Sequence, residues 1–149
     1  MPIHPPEFES AAATLAPHLD NLPGKLIAID GRDGTGKTTL GRFLAWHFNI
    51  SLVETDLFLR NGAGLSYHTD QIDRIISQRL SKPRPVIVEG VAVLQLLQSL
   101  GRKPDLLVYV TNSNHSGGST LAKALEQYES SFKPAALANV AVHLAHQDG

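Results

Sequence analysis

The sequence holds no cysteine, one methionine and one tryptophan among its 149 residues. Without cysteine there is no disulfide framework and no thiolate metal site, which fits a reducing compartment. No run of about 18 apolar residues occurs, so a membrane span is not expected. Charge of one sign is lacking too. The formal net charge is −1, without the basic excess of a dedicated nucleic-acid binder. Residues 1–10 carry three prolines and two glutamates but no basic stretch followed by an apolar one, so they do not read as a signal peptide. A cytoplasmic protein with no membrane or nucleic-acid partner is the expectation.

Hydrophobic residues make up 42% and charged residues 18%, a globular composition at the size of one domain. The pattern predicts a helix over Ser10–Leu19, a turn at 21–24, and a short buried strand at Leu26–Ile29. A helix is expected over Lys37–Phe48, with Leu40, Phe43, Leu44 and Phe48 on one side. A strand at Ser51–Glu54 follows, then an irregular stretch from Asp56 to Tyr67. Thr69 reads as the cap of a helix to Leu80, striped by Ile72, Ile75, Ile76 and Leu80. Val86–Val88 reads as a strand ending at Glu89-Gly90, followed by a helix to Leu100 that Gly101 closes. A strand at Leu106–Val110, a polar stretch over 111–119, a helix at Thr120–Ser131 and a strand at Val140–Leu144 complete the chain. The expectation is one domain over 1–149, with 1–24 an N-terminal extension and helix and 111–119 a lid-like loop. Strands alternating with helices imply a parallel α/β sheet covered on both faces. Ligands of such sheets bind beyond the carboxyl ends of the strands. Asp30 to Thr38, Asp56, Glu89 and Thr111 fall at those ends.

Gly31-Arg32-Asp33-Gly34-Thr35-Gly36-Lys37-Thr38 matches G-x-x-x-x-G-K-[ST] in full, between an expected strand and an expected helix. The glycines let the backbone turn its N–H groups inward, and the helix start adds partial positive charge at the same place. Such a loop cradles the phosphates of a nucleoside triphosphate. Lys37 is expected at the β- and γ-phosphates and Thr38 at Mg²⁺, with Gly31, Asp33, Gly34, Thr35, Gly36 and Thr39 completing the cradle. Asp33 reads equally well as a turn residue.

Glu89, closing a β-branched strand before a glycine, suits the metal-side carboxylate, although a helix-capping role is open. Asp56 suits a general base that takes the proton of an attacking hydroxyl. A turn-forming role competes, and Glu54 is a rival two residues earlier. Arg60, Tyr67 and Arg74 are candidates to line an acceptor pocket, though surface arginines are common. The seven histidines show no metal-ligand spacing; His143 and His146, three apart, do not suffice. Trp46 and the flanking Phe43 and Phe48 read as core. Leu94, Leu96, Leu97 and Leu100 offer a helix face suited to a homodimer.

The stretch from Leu26 to Leu40 resembles the opening of P-loop nucleoside and nucleotide kinases. Its Asp-Gly-x-Gly-Lys-Thr-Thr part is similar to thymidylate kinases, while Asp56-Leu57-Phe58 and the strand ending Glu89-Gly90 resemble the uridine kinase-like group. The likeness covers about the first two-thirds of the chain. It implies a three-layer α/β/α P-loop NTPase fold with five parallel strands in the order 2-3-1-4-5. It also implies ATP and Mg²⁺ as cofactors and transfer of the γ-phosphate to a small hydroxyl- or phosphate-bearing acceptor such as a nucleoside, with Asp56 as base and Glu89 beside the metal. One departure stands out. Such kinases carry an arginine-rich lid after the fourth strand, whereas from Thr111 onward this chain has no arginine, only Lys123 and Lys133. A slow kinase that uses Lys123 or a partner's group is one consequence; a nucleotide-binding regulator without turnover is the alternative. A GTPase reading fails because Thr111-Asn112-Ser113-Asn114 stands where Asn-Lys-x-Asp is needed.

Overall fold

The computed structural model describes residues 5–21, 24–32, 34–58, 67–82, 84–113 and 122–144. Its strands are β1 (Leu26–Asp30), β2 (Ser51–Glu54), β3 (Val86–Gly90), β4 (Leu106–Asn112) and β5 (Val140–Leu144). They form one sheet in the order β2-β3-β1-β4-β5, every pairing parallel. The expected architecture is therefore the one observed. The helices are α1 (Pro6–Leu15), α2 (Lys37–Phe48), α3 (Thr69–Leu80), α4 (Val93–Ser99), α5 (Ala122–Phe132) and α6 (Pro134–Leu137). None of them is long and apolar enough to cross a membrane, among the described residues.

Two apolar layers sandwich the sheet, and the period-2 alternation of the strands assigns their side chains. Leu26, Ala28, Val86, Val88 and Leu107 face α3, α4 and α5, whereas Ile27, Ile29, Ile87, Leu106 and Val108 face α1 and α2. All five residues of β1 are buried, as are all five of β3. This is why the inner strands read as continuous apolar runs and not as alternating ones.

Several sequence expectations are corrected. The first helix begins at Pro6, with Pro at its first position and Pro5 before it, and ends at Leu15. Residues 16–19 form a 3₁₀ turn, and Ser10 lies mid-helix instead of capping it. His68, not Thr69, precedes α3. Strand β4 runs on through Thr111 and Asn112, which shortens the lid-like stretch; residues 114–121 lie outside the described residues. Trp46 is 76% exposed, because it lies two positions from the buried Leu44 and points away from the sheet. Leu94, Leu96 and Leu97 are buried in the α3–α5 layer, so α4 spends these leucines on the core. Gly101, with φ +70°, closes α4 as expected. The N–H of Arg102 reaches the Leu97 carbonyl at 2.9 Å and that of Gly101 the Gln98 carbonyl at 3.0 Å.

Candidate functional site

Gly31 leaves the central strand with no room for a side chain: a Cβ there would lie 2.6 Å from the Val110 carbonyl oxygen. Gly34 and Gly36 take φ of +78° and +98°, the left-handed conformations glycine adopts without cost. The loop then feeds α2, whose first residue is Lys37. Lys37 is 3% exposed, and its Nζ donates to the Arg32 carbonyl at 3.2 Å. The Thr35 hydroxyl donates to the same carbonyl at 2.8 Å, and Asn112 Nδ2 donates to the Thr35 carbonyl at 3.4 Å from the end of β4. A cation is thus held over the mouth of a curled backbone at a helix start, which suits an anionic ligand. Thr39 faces solvent on the first turn, and Asp33 lies outside the described residues.

Thr38 and Arg42, one turn apart on α2, reach down onto neighbouring strands. The Thr38 hydroxyl donates to Glu89 Oε1 at 3.0 Å; Arg42 donates to both oxygens of Glu54 at 2.8 and 2.9 Å. Glu54 and Glu89 are register partners of β2 and β3, so their side chains share a face. Gly41 lets the helix approach: a Cβ there would touch Leu52, Glu89 and Ile29. Glu89 is fully buried, and its Oε2 has no hydrogen-bond partner among the described residues. Burial pushes its carboxyl up to about 7, against the pull of the Lys37 charge and the Thr38 hydroxyl, while Asp56 and Glu54 push the same way as burial. A hydroxyl oxygen beside a buried carboxylate with one unused oxygen is the donor set of a hard divalent cation.

Asp56 sits exposed on a 3₁₀ turn (Thr55–Phe58) directly after β2, close enough for its charge to act on Glu89. Its rival Glu54 is tied by both oxygens to Arg42. Thr55 locks the turn by donating to the Glu89 carbonyl at 2.9 Å, a contact that leaves no space for a side chain at Gly90. Two of the three proposed acceptor-lining residues are among the described ones. Tyr67 is buried with its hydroxyl turned inward to the Val91 carbonyl at 3.1 Å. Arg74 is exposed on α3, two residues from the buried Ile72 and Ile76 and so on the solvent side. Arg60 lies outside the described residues, as does His146. Lys123 is exposed on the first turn of α5, and His143 Nδ1 lies 2.8 Å from the Thr111 hydroxyl.

On the opposite face of the sheet the structure assembles a second polar cluster that the sequence does not announce. Asp30, last in β1, accepts from the Gly31 N–H at 2.9 Å, the Tyr128 hydroxyl at 2.6 Å and the Val93 N–H at 3.4 Å. Burial raises its carboxyl to about 6 against those hydrogen bonds and the Lys37 charge. The Tyr128 hydroxyl accepts in turn from the Leu94 N–H at 3.1 Å. Arg32, inside the loop, grips Glu129 with two hydrogen bonds of 2.9 and 2.8 Å. The loop is thereby pinned to α5, the helix that follows the lid-like stretch. Asp30 alone had a local signal, an acid ending an apolar strand before a glycine, as at Glu89. Its side-chain partner Tyr128 lies 98 residues away and leaves no such trace.

No protein-family model matches the chain, and no curated protein matches it. Among solved structures it is similar to one described as a possible uridine kinase from Bacillus stearothermophilus. The TM-score is 0.61 at 15% sequence identity, covering 91% of this chain and 99% of that one. At that identity the likeness speaks for the fold.

Proposed function

We propose that this chain is an ATP-dependent phosphotransferase that moves the γ-phosphate of ATP to a hydroxyl of a small acceptor such as a nucleoside. The observation that carries the reading is the buried Glu89, held by Thr38 at the start of the P-loop helix with one carboxylate oxygen unused. Lys37 leaves the Arg32 carbonyl for the β- and γ-phosphates, and the loop N–H groups hold the phosphate oxygens. Thr38 and Glu89 would hold Mg²⁺, which when bound would offset phosphate charge. Asp56 accepts the acceptor's proton as its oxygen bonds to the γ-phosphorus and the bond to the β–γ bridging oxygen breaks, releasing ADP. Carboxylates, with Arg42 already committed to Glu54, favour a neutral hydroxyl over a monophosphate on the described acceptor side.

A second reading, nucleotide binding without turnover, draws on the arginine-free sequence after Thr111 and on the engagement of Arg32 by Glu129. ADP release from ATP–Mg²⁺ across nucleosides, sugars and monophosphates separates the two. Release that depends on one acceptor and is lost in Asp56→Asn supports the kinase; ATP binding with no release for any acceptor supports the regulator.

A further inference from the structure

Away from the P-loop, α4, α5 and α6 border an open-sided cavity of about 450 Å³ over the first residues of β4. That volume lies in the range of small-molecule sites. Its walls are apolar: Leu94 from α4, Leu107 from β4, Phe132 from α5 and Leu137 from α6. Leu137, 62% exposed, is among the few large apolar side chains of the described residues left in water, and it forms the rim. The Phe132 ring stacks on Tyr128 with centroids 5.0 Å apart.

The polar side chains that line the cavity are Gln98, Arg102, Lys103 and Asn139. No carboxylate lines the cavity among the described residues. Asn139 accepts from the Leu107 N–H on its side-chain oxygen at 2.8 Å and donates its backbone N–H to the Leu107 carbonyl at 2.8 Å, which leaves its side-chain NH2 as the donor. Arg102 is committed to Asp73 at 2.8 Å. Lys103, its neighbour, is exposed and makes no ion pair among the described residues. An apolar pocket whose open end offers a cation and amide donors complements a molecule with an apolar body and an anionic end.

We propose that this cavity is a binding site for a small amphipathic carboxylate, its hydrocarbon between Phe132 and Leu137 and its acid group at Lys103 and Asn139. The carboxylate end lies past the C-terminus of α4, whereas the P-loop lies at the other end of the sheet. The site is therefore separate from the nucleotide site and does not depend on the phosphotransferase reading.

The test is calorimetric titration of the full chain with 4-phenylbutyrate, beside 4-phenylbutanol and 4-phenylbutylamine, with and without saturating ATP–Mg²⁺. The expected result is one saturable site for the acid, weaker binding of the alcohol, and none of the amine. Lys103→Glu should weaken the acid by roughly tenfold or more, the loss of one charge-assisted contact. Leu137→Trp, at an exposed position that tolerates substitution, should block the cavity; thermal melts confirm that both variants fold. Equal binding of acid and alcohol, insensitivity to both substitutions, or full displacement by ATP would each overturn the proposal. So would uptake that appears only with self-association of the chain, which would give the cavity to a second copy.

Discussion

At the amino ends of β1, β3 and β4 stand Leu26, Val86 and Leu106, all buried and apolar. At or beside the carboxyl ends of the same strands stand Asp30, Glu89 and Asn112, buried just as deeply and polar. The contrast extends to every buried polar side chain among the described residues: Asp30, Thr35, Lys37, Thr55, Glu89 and Asn112 all gather at the carboxyl end of the sheet. Burying apolar surface stabilises the fold. Burying carboxyls so that their acidity is weakened, and leaving Glu89 Oε2 without a partner, costs stability. One end of the molecule therefore holds the fold together, and the other is maintained at its expense; under the proposed function, bound nucleotide and metal supply the missing partners.

The contrast is broken most strongly at Lys37. Lys37→Ala should lower phosphate-dependent turnover by roughly a thousandfold, since it removes a charge aimed at the developing phosphate charge; the melting temperature should move little. Steady-state kinetics with ATP, beside a thermal melt, check both halves. At the apolar end the pattern inverts. Leu97→Ala, at a fully buried position of α4, should cost about 2–5 kcal/mol in denaturant unfolding while the folded fraction binds ATP as before.

A smaller effect follows from pH. Asp30 and Glu89 have folded acidities weaker than their ordinary values, so the fold retains protons that the unfolded chain has already lost. Their contribution is fully present below about pH 4, and it is lost as pH rises through about 6 for Asp30 and about 7 for Glu89. Urea midpoints of the ligand-free chain should therefore fall between pH 5 and 8 through these two groups, and Asp30→Asn should flatten the lower part of that slope. The smallest change is expected at Glu129→Gln. The Arg32–Glu129 pair is about a quarter exposed on each side, so its loss should cost about 1 kcal/mol or less in stability. Because the pair pins the loop to α5, ATP affinity should respond at least as visibly in the same variant.

How much of this was legible from the sequence follows the same division. The glycines of the loop, the lysine after them and the apolar run before them are local signals, and they placed β1 to within one residue and α2 at its observed bounds. Glu89 and Asp56 were legible because they sit where strands end. Where Tyr67 and Arg74 point was not legible, for want of long-range information. An aromatic ring near the site satisfies its hydroxyl inside the core, and an arginine two places from buried isoleucines has to face water. The leucines of α4 were read as a surface because a seven-residue helix pressed between a sheet and α5 has little polar face to mark its outside. Tyr128 and Glu129 could not be read at all, since only the closure of the sheet brings α5 to the loop. The share of the lid-like stretch beyond Ser113 lies outside the described residues.

The most direct measurement is a pair of experiments on Glu89→Gln at pH 8, which keeps the shape of the side chain and removes its charge. The account predicts opposite signs: a higher melting temperature for the ligand-free variant, because a buried carboxylate has become a neutral amide, and weaker binding of ATP–Mg²⁺ with turnover lowered by roughly a hundredfold. If the variant instead melts lower and binds ATP–Mg²⁺ as tightly as the parent, Glu89 is a structural acid, and the polar end of the sheet is not built around a metal-bound nucleotide.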